Sequence, residues 1–322
     1  MTIVFIGTPE FAVPSLRRLV ADGHDVVAVV TQPDRATGRH RSRLTPPPVK
    51  EAALELGLTV LQPPTLRDPE AVAQLRALGP EVLVVAAYGQ ILRPEVLAIP
   101  PRGALNVHAS LLPKYRGASP IAAAILAGDG ETGVSIMLMD AGMDTGPVLA
   151  MRSEAISPHD TTGSLTARLA ELGSDLLGET LPRWLAGEIE SQPQDESRAT
   201  VTRLTRKEDG AIDWARAAAD IWRQVRACNP WPGAYTSLDG DQITIWRAWP
   251  LDFGSEGTPG TIVALPAEYL ADTPESAFAV RTGDGLLSVI ELQRAGRRAV
   301  SSAEFLRGAP GLIGKRLEAA GK

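Results

Sequence analysis

A chain of 322 residues, 44% hydrophobic and 22% charged, suits about two soluble globular domains at ~150 residues each, and its 30 glycines and 26 prolines stay below the ~25–30% share of disordered chains. The formal charge of −6 excludes a protein that coats nucleic acid indiscriminately, because such binding relies on a basic surface. The start, Met1-Thr-Ile-Val-Phe-Ile-Gly7, lacks a basic leader, no apolar run approaches ~18 residues, and Cys228 with four scattered histidines offers neither a disulfide nor a local zinc motif, so a cytoplasmic protein without membrane segment or structural metal is expected.

In chain order, Thr2–Ile6 reads as a buried strand, Val13–Ala21 as an amphipathic helix and Asp25–Thr31 as a second buried strand rich in β-branched residues. A basic stretch follows from Asp34 to Lys50, with Arg35, Arg39, Arg41, Arg43 and Lys50 against a single acid. Such a run is either a solvated face or a contact for a polyanion. Helices over 48–56 and 69–78 then alternate with strands over 58–61, 82–86 and 104–107. This alternation predicts a parallel sheet with helices on both faces, where ligands bind beyond the carboxyl ends of the strands. The segment Gly187–Thr200 is polar and aperiodic and reads as a linker. Beyond it lie five of the six tryptophans, a helix predicted over Ile212–Ala227, and five short strands between Gly233 and Leu292 separated by Asp-Gly, Pro-Gly and Gly-Asp-Gly turns. That spacing predicts a small antiparallel barrel.

Asn106 and His108 close the strand that begins at Ala104, and the two-residue period puts both on one face. An amide donor and an imidazole there could polarise a carbonyl and hold the oxyanion formed on it, or could be a structural pair. In the loop that follows, Leu111 and Leu112 either fold onto the core or line an apolar pocket. Asp140 and Asp144 lie four apart in a glycine-containing loop. Both could form Asx turns; alternatively one accepts a hydrogen bond from His108 and fixes its tautomer. Gly7-Thr-Pro-Glu-Phe-Ala12 follows the first strand but is not G-x-G-x-x-G, and Glu10 puts an acid where a pyrophosphate would sit. A nicotinamide or flavin enzyme is therefore disfavoured.

With these residues stand Thr31-Gln-Pro-Asp-Arg35, Ala87-Tyr-Gly-Gln-Ile-Leu92, Asn106-Val-His-Ala-Ser-Leu-Leu-Pro-Lys-Tyr-Arg-Gly117, Met139-Asp-Ala-Gly-Met-Asp-Thr-Gly146 and Asn229-Pro-Trp-Pro-Gly233. In order and over nearly the whole chain, the set resembles the bacterial methionyl-tRNA formyltransferases. The resemblance implies a Rossmann-like catalytic domain over 1–189, a linker over 190–208 and an OB-like barrel over 209–322 that binds tRNA. It implies formyl transfer from 10-formyltetrahydrofolate to the amino group of initiator methionyl-tRNA, by a monomer, without a metal. By the same resemblance, Asn106, His108 and Asp144 occupy the catalytic positions. Ser110, Leu111, Leu112, Pro113, Tyr88, Gly89, Ile91 and Asp140 occupy the folate positions, and Arg39, Arg41, Arg43, Lys50, Arg206 and Lys207 the tRNA positions. The basic loop departs from the family pattern in carrying arginines at 39, 41 and 43 where lysines are expected. Two alternatives are a folate-dependent formyltransferase for another amine and a non-catalytic tRNA-binding protein; the catalytic trio argues against the second.

Overall fold

The structure, a computed structural model, describes residues 2–37, 43–252, 254, 256–265, 269 and 275–318. The chain forms two compact units: Met1–Pro120 with Glu131–Ala155 and Leu165–Arg203, and Ile121–Gly130 with Ile156–Ser164 and Leu204–Lys322.

The chain runs through β1 (Thr2–Gly7), α1 (Val13–Ala21), β2 (Asp25–Val30), a short pair β3 (Arg35–Thr37) and β4 (Arg43–Thr45), α2 (Pro48–Glu55), β5 (Val60–Leu61) and α3 (Pro69–Ala77). There follow β6 (Val82–Ala86), α4 (Pro94–Leu97), β7 (Ala104–His108), β8 (Arg116–Gly117), α5 (Pro120–Ala127), β9 (Glu131–Leu138), β10 (Val148–Ala155), α6 (Thr162–Leu185) and β11 (Val201–Thr202). One sheet has the order β10-β9-β7-β6-β1-β2-β5. Its strands from β7 to β5 are parallel, while β9 and β10 run antiparallel.

Alternation places Val4 and Ile6 in a buried cluster with Leu75 of α3, Leu83 and Val85, while Ile3 and Phe5, equally buried, point to the other face. Each such side chain contributes about 1.5–3 kcal/mol of transfer free energy. Among the elements beyond the sequence reading are β10 and α6. The strand β10 has polar alternate positions, and the α6 leucine stripe (Leu165, Leu169, Leu176, Leu177, Leu181) is interrupted by Gly173, Gly178 and Pro182. Gly173 is small for a reason: a Cβ there would lie 2.8 Å from Cγ1 of Val107.

The second unit contains α7 (Ala218–Ala227), β12 (Ala234–Leu238), β13 (Asp241–Leu251), β14 (Ile262–Ala264), β15 (Phe278–Arg281), β16 (Leu286–Arg294), β17 (Ala299–Ser301) and α8 (Ser302–Arg307). The helix expected from Ile212 begins only at Ala218. Ile212 N donates to Tyr235 O (2.8 Å) and Ala215 N to the Asp213 carboxylate (3.0 Å), which draws 212–217 into extended and turn conformations. The antiparallel sheet has the order β12-β13-β16-β15-β14, with β17 on β16. The segment Lys315–Glu318 joins its outer strands. Ile262 N donates to Lys315 O and Leu317 N to Gly260 O, both at 2.8 Å, and Ser237 and Glu318 exchange bonds of 3.0 and 2.9 Å. This segment bridges the outer strands of an antiparallel half-barrel, where the turns predicted a small barrel. Among the described residues no helix is long and apolar enough to cross a membrane.

Candidate active site

The parallel strand β7 ends with Asn106 and His108 on the face opposite Val107, which packs toward Gly173. Both are nearly buried, at 9% and 6% exposure. The Asn106 side chain makes no hydrogen bond among the described residues, so its amide stays available to a ligand. His108 Nε2 lies 3.0 Å from the Tyr115 carbonyl. A carbonyl only accepts, so Nε2 carries a proton and Nδ1 is the nitrogen turned to Asp144. Its distance to Asp144 Oδ2 is 3.6 Å, the range of an ion pair and too long for the hydrogen bond that is one of the two readings of the sequence.

Asp144 Oδ2 instead accepts from Gly117 N at 2.8 Å, and Oδ1 has no partner among the described residues. Asp144 adopts φ +55°, a left-handed conformation that a non-glycine residue holds only when its surroundings fix it. Two glycines let the loops meet. A Cβ on Gly146 would lie 1.9 Å from Leu138 O, and one on Gly117, at φ +100°, 2.5 Å from Thr202 O. Further fixation comes from the segment read as a linker. Gln194 Nε2 donates to the carbonyls of Asp144 (2.8 Å) and Gly146 (2.7 Å), and its Oε1 accepts from Nε and Nη2 of Arg116 (3.0 and 2.9 Å). Arg116, 4% exposed, also forms a bidentate pair with Glu196 at 2.7 and 2.9 Å. That hydrogen-bonded pairing raises the guanidinium pKa and lowers that of the Glu196 carboxyl. Thr200 Oγ1 accepts from Tyr115 N (2.8 Å), and Gln192 and Val148 exchange two backbone bonds of 2.8 Å. Gln192, Gln194, Glu196 and Thr200 thus brace the loops that carry Asp144 and Tyr115. Sequence reasoning missed them, and the spaced polar side chains of 192–202 were the available signal.

The remaining expected site residues divide by what their side chains already do. Ser110 is fully buried; its hydroxyl donates to Lys114 O (2.6 Å) and its carbonyl accepts from Ser135 Oγ (2.7 Å). Leu112 packs with Met137 and Val148 in the core, while Leu111 lies half-buried beside Gly133 and Pro113 is half-buried. The Tyr88 ring also enters the core, where burial pushes its hydroxyl pKa up to about 12. Its carbonyl accepts from Thr8 Oγ1 (3.0 Å) and Gln32 Nε2 (2.9 Å). Gly89 takes φ +82°, and Ile91 stands 73% exposed. Asp140 accepts from Gly142 N (3.0 Å) and Thr145 Oγ1 (2.7 Å), which is the Asx-turn reading.

Among the basic residues, Lys50 Nζ holds both oxygens of Asp34 at 2.8 Å. Bonds from Gln62 and then Lys50 lower the Asp34 pKa. Arg39 and Arg41 lie outside the described residues, and Arg43 opens β4. Arg206 and Lys207 are exposed in the second unit.

Both parts of the chain are similar to known protein families. The Formyl transferase family matches residues 1–181, and the family described as Formyl transferase, C-terminal domain matches residues 205–310. A methionyl-tRNA formyltransferase of Chloroflexus aggregans is 53% identical over 308 residues, covering 96% of this chain and 97% of its own. One from a Roseiflexus species is 52% identical over 319 residues, covering 98% and 95%. Among solved structures, an N-formyltransferase from Helicobacter canadensis in complex with folinic acid and dTDP-3-aminofucose superposes with a TM-score of 0.65 at 19% identity, over 91% of this chain and 98% of that one. HypX from Aquifex aeolicus in complex with tetrahydrofolic acid gives 0.62 at 19% identity, over 94% and 46%. These structural likenesses concern the fold, and the sequence matches go further: the chain belongs to the methionyl-tRNA formyltransferase family.

Proposed function

We propose that this chain transfers the formyl group of 10-formyltetrahydrofolate to the α-amino group of initiator methionyl-tRNA. The observation that carries the reading is the meeting of Asn106, His108 and Asp144 at the end of β7, in a chain about half identical to full-length relatives of that name.

The residues present suit a folate donor. Val85 of β6 pairs in register with Asn106 of β7, so the loop after β6, with its exposed Ile91, leaves the sheet beside the uncommitted Asn106 amide. When bound, the donor supplies a formyl carbon open to attack by an amine. Asn106 donates to the formyl oxygen as charge develops there, and His108, fixed by its bond to the Tyr115 carbonyl with Nδ1 turned toward Asp144, lines the same spot. The acceptor amine has an ordinary pKa of ~7.7–8.0, so a useful fraction is neutral near pH 7 and needs positioning more than a strong base. Asp144 Oδ1, without a hydrogen-bond partner among the described residues, takes up the proton that the amine loses; the bond between the formyl carbon and N10 then breaks, and the departing N10 of tetrahydrofolate takes a proton in its place.

Ile91, Leu111 and Pro113 contact the pteridine directly. Tyr88, Ser110, Leu112 and Asp140 shape its surroundings from beneath, and Gly89 allows the turn. Arg39, Arg41 and Arg43 contact tRNA, with Arg206 and Lys207 adding charge; Lys50 acts through Asp34. Residues 1–189 form the catalytic domain, 209–322 the tRNA-binding domain, and 190–208 both connect and brace. The reading takes the protein as a cytoplasmic monomer, since every group it uses lies on one chain.

The test is incubation with 10-formyltetrahydrofolate and a panel of methionylated tRNAs, scoring formyl-methionine. Formylation of initiator methionyl-tRNA is expected. Transfer only to an amino sugar or a nucleotide-precursor amine would replace this reading with the alternative acceptor class.

A further inference from the structure

Apart from the formyl-transfer site, the second unit contains a cavity of about 930 Å³, within the roughly 300–1,000 Å³ of small-ligand sites. Its walls come from the loop at 158–161, α7, and strands β13 and β16. Aromatic rings dominate it. His159 stacks on Trp249 with centroids 5.4 Å apart and planes at 28°, and Trp222 meets Trp249 edge-on at 5.4 Å. Behind them Arg226, 8% exposed, lies 4.4 Å over the Trp222 ring. Its Nε and Nη2 donate to the carbonyls of Asp160 (2.7 Å) and Ser157 (2.8 Å), and no described bond uses Nη1.

The polar lining is nearly balanced in charge. Arg247 is neutralised by Glu275 at 2.7 Å, and Glu291, half-buried, has no side-chain partner among the described residues. Asn229 donates its amide to Trp246 O at 3.2 Å, and its Oδ1 makes no described bond. A cleft with an unpaired carboxylate does not select a phosphate. Stacked rings with open acceptors on the walls select a flat, uncharged ring that carries N–H donors.

We infer that this cleft takes an unpaired, amino-bearing nucleobase of the tRNA substrate, stacked against His159 and Trp249 with its exocyclic amino group donating to Glu291. The inference rests on the proposed function for its RNA. His159 is exposed, and it is the ring that an incoming base covers or displaces. Binding here adds affinity for tRNA away from the reacting amine, so it changes KM for tRNA and leaves the chemical step alone.

The experiment compares wild type with His159→Ala, Trp249→Leu and Glu291→Gln, each checked for folding by thermal melting. Steady-state formylation is measured with initiator methionyl-tRNA and, separately, with varied 10-formyltetrahydrofolate; tryptophan emission is followed as deacylated initiator tRNA is added. Base stacking on an aromatic ring implies that Trp249→Leu raises KM for tRNA about five- to hundredfold, with kcat and KM for the folate unchanged. His159→Ala and Glu291→Gln should shift KM in the same direction by less. Wild-type emission should be quenched by tRNA, and Trp249→Leu should lose that quenching. An unchanged KM for tRNA in folded His159→Ala and Trp249→Leu, or quenching that survives Trp249→Leu, would overturn the cleft as a base site. An unchanged KM in Glu291→Gln alone would overturn the amino-group contact. If wild type fails to formylate methionyl-tRNA yet shows the quenching, the proposed function fails and the base site stands.

Discussion

The side-chain amide of Gln194 donates to the backbone carbonyl of Asp144 at 2.8 Å. A second bond to Gly146 O (2.7 Å) and the pairing of its Oε1 with Arg116 make Gln194 a positioning residue for a carboxylate held at φ +55°. Gln194→Ala should therefore lower kcat by on the order of tenfold or more, with KM for both substrates little changed. Unpairing the two carbonyls should also cost about 1–3 kcal/mol of stability. Gln194→Glu retains an acceptor for Arg116 but loses the amide donor, so an equal rate loss with a smaller stability loss would locate the effect in the carbonyl contacts. A rate within twofold of wild type in both variants would show that the loop holds itself.

Asn106 and His108 call for single-turnover measurements. Losing one oxyanion donor typically lowers the rate ~10²–10³-fold. Because the Asn106 side chain makes no hydrogen bond among the described residues, Asn106→Ala should melt close to wild type while showing that loss. His108→Ala removes the bond to Tyr115 O and should lose both rate and some stability. Rates within a few-fold of wild type would remove either residue from the chemistry.

Asp144→Asn isolates charge from architecture. The new amide oxygen can still accept from Gly117 N, now 2.8 Å from the carboxylate, so the loop should persist. What disappears is the negative charge 3.6 Å from His108 Nδ1 and the acceptor for the amine proton. The rate should fall about a hundredfold with a melting temperature near that of wild type. A near-normal rate with an unchanged pH profile would make Asp144 a loop former.

An acidic protein holding a polyanion should show its contacts in salt dependence. Each phosphate contact contributes about −0.9 to the log–log salt slope on duplex DNA, a value borrowed here for RNA. Replacing Arg39, Arg41 and Arg43 together by alanine should flatten the slope for tRNA and weaken its binding while folate binding stays level. Titrations with initiator and elongator methionyl-tRNA across a salt series measure this; identical slopes and identical discrimination would leave the stretch a solvated loop.

Cys228 should be a packing residue with a signature at high pH. It is 3% exposed, and burial first, then nearby Asp209, pushes its pKa from 9.0 up to about 11. Below pH 9 the thiol is neutral in folded and unfolded chains alike. Above it the unfolded chain ionises first, so stability falls between pH 9 and 11, by about 2–3 kcal/mol. Cys228→Ala should remove that part of the fall without affecting turnover at neutral pH. Denaturant titrations at pH 8 and 11 decide it, and an identical fall in both proteins would assign the loss to other groups.

The parallel strands and the position of the site at their ends were legible because buried β-branched runs between helices admit few other arrangements. Asn106 and His108 could be paired from the period of a strand alone. Their partner Asp144 could not be placed that way, since its approach depends on Gly117 and Gly146 letting two loops meet. The segment 192–202 looked like a linker because it lacks apolar periodicity. Its polar groups are spent on the loops that carry Tyr115 and Asp144, so the contacts that fix it leave no hydrophobic trace. The later start of α7 has the same origin, in single hydrogen bonds from Ile212 and Ala215 that no stripe reveals.

The strap at Lys315–Glu318 links the barrel's soundness to the order in which the chain is made. Until residue 318 has left the ribosome, Ser237 on one outer strand and Ile262 on the other keep unpaired backbone groups, and both edges are open to strands of neighbouring nascent chains. A chain that stops a few residues early would carry Asn106, His108 and Asp144 together with two adhesive edges. Its shortfall would first show as lost soluble yield, before any change in the chemistry of the molecules that remain.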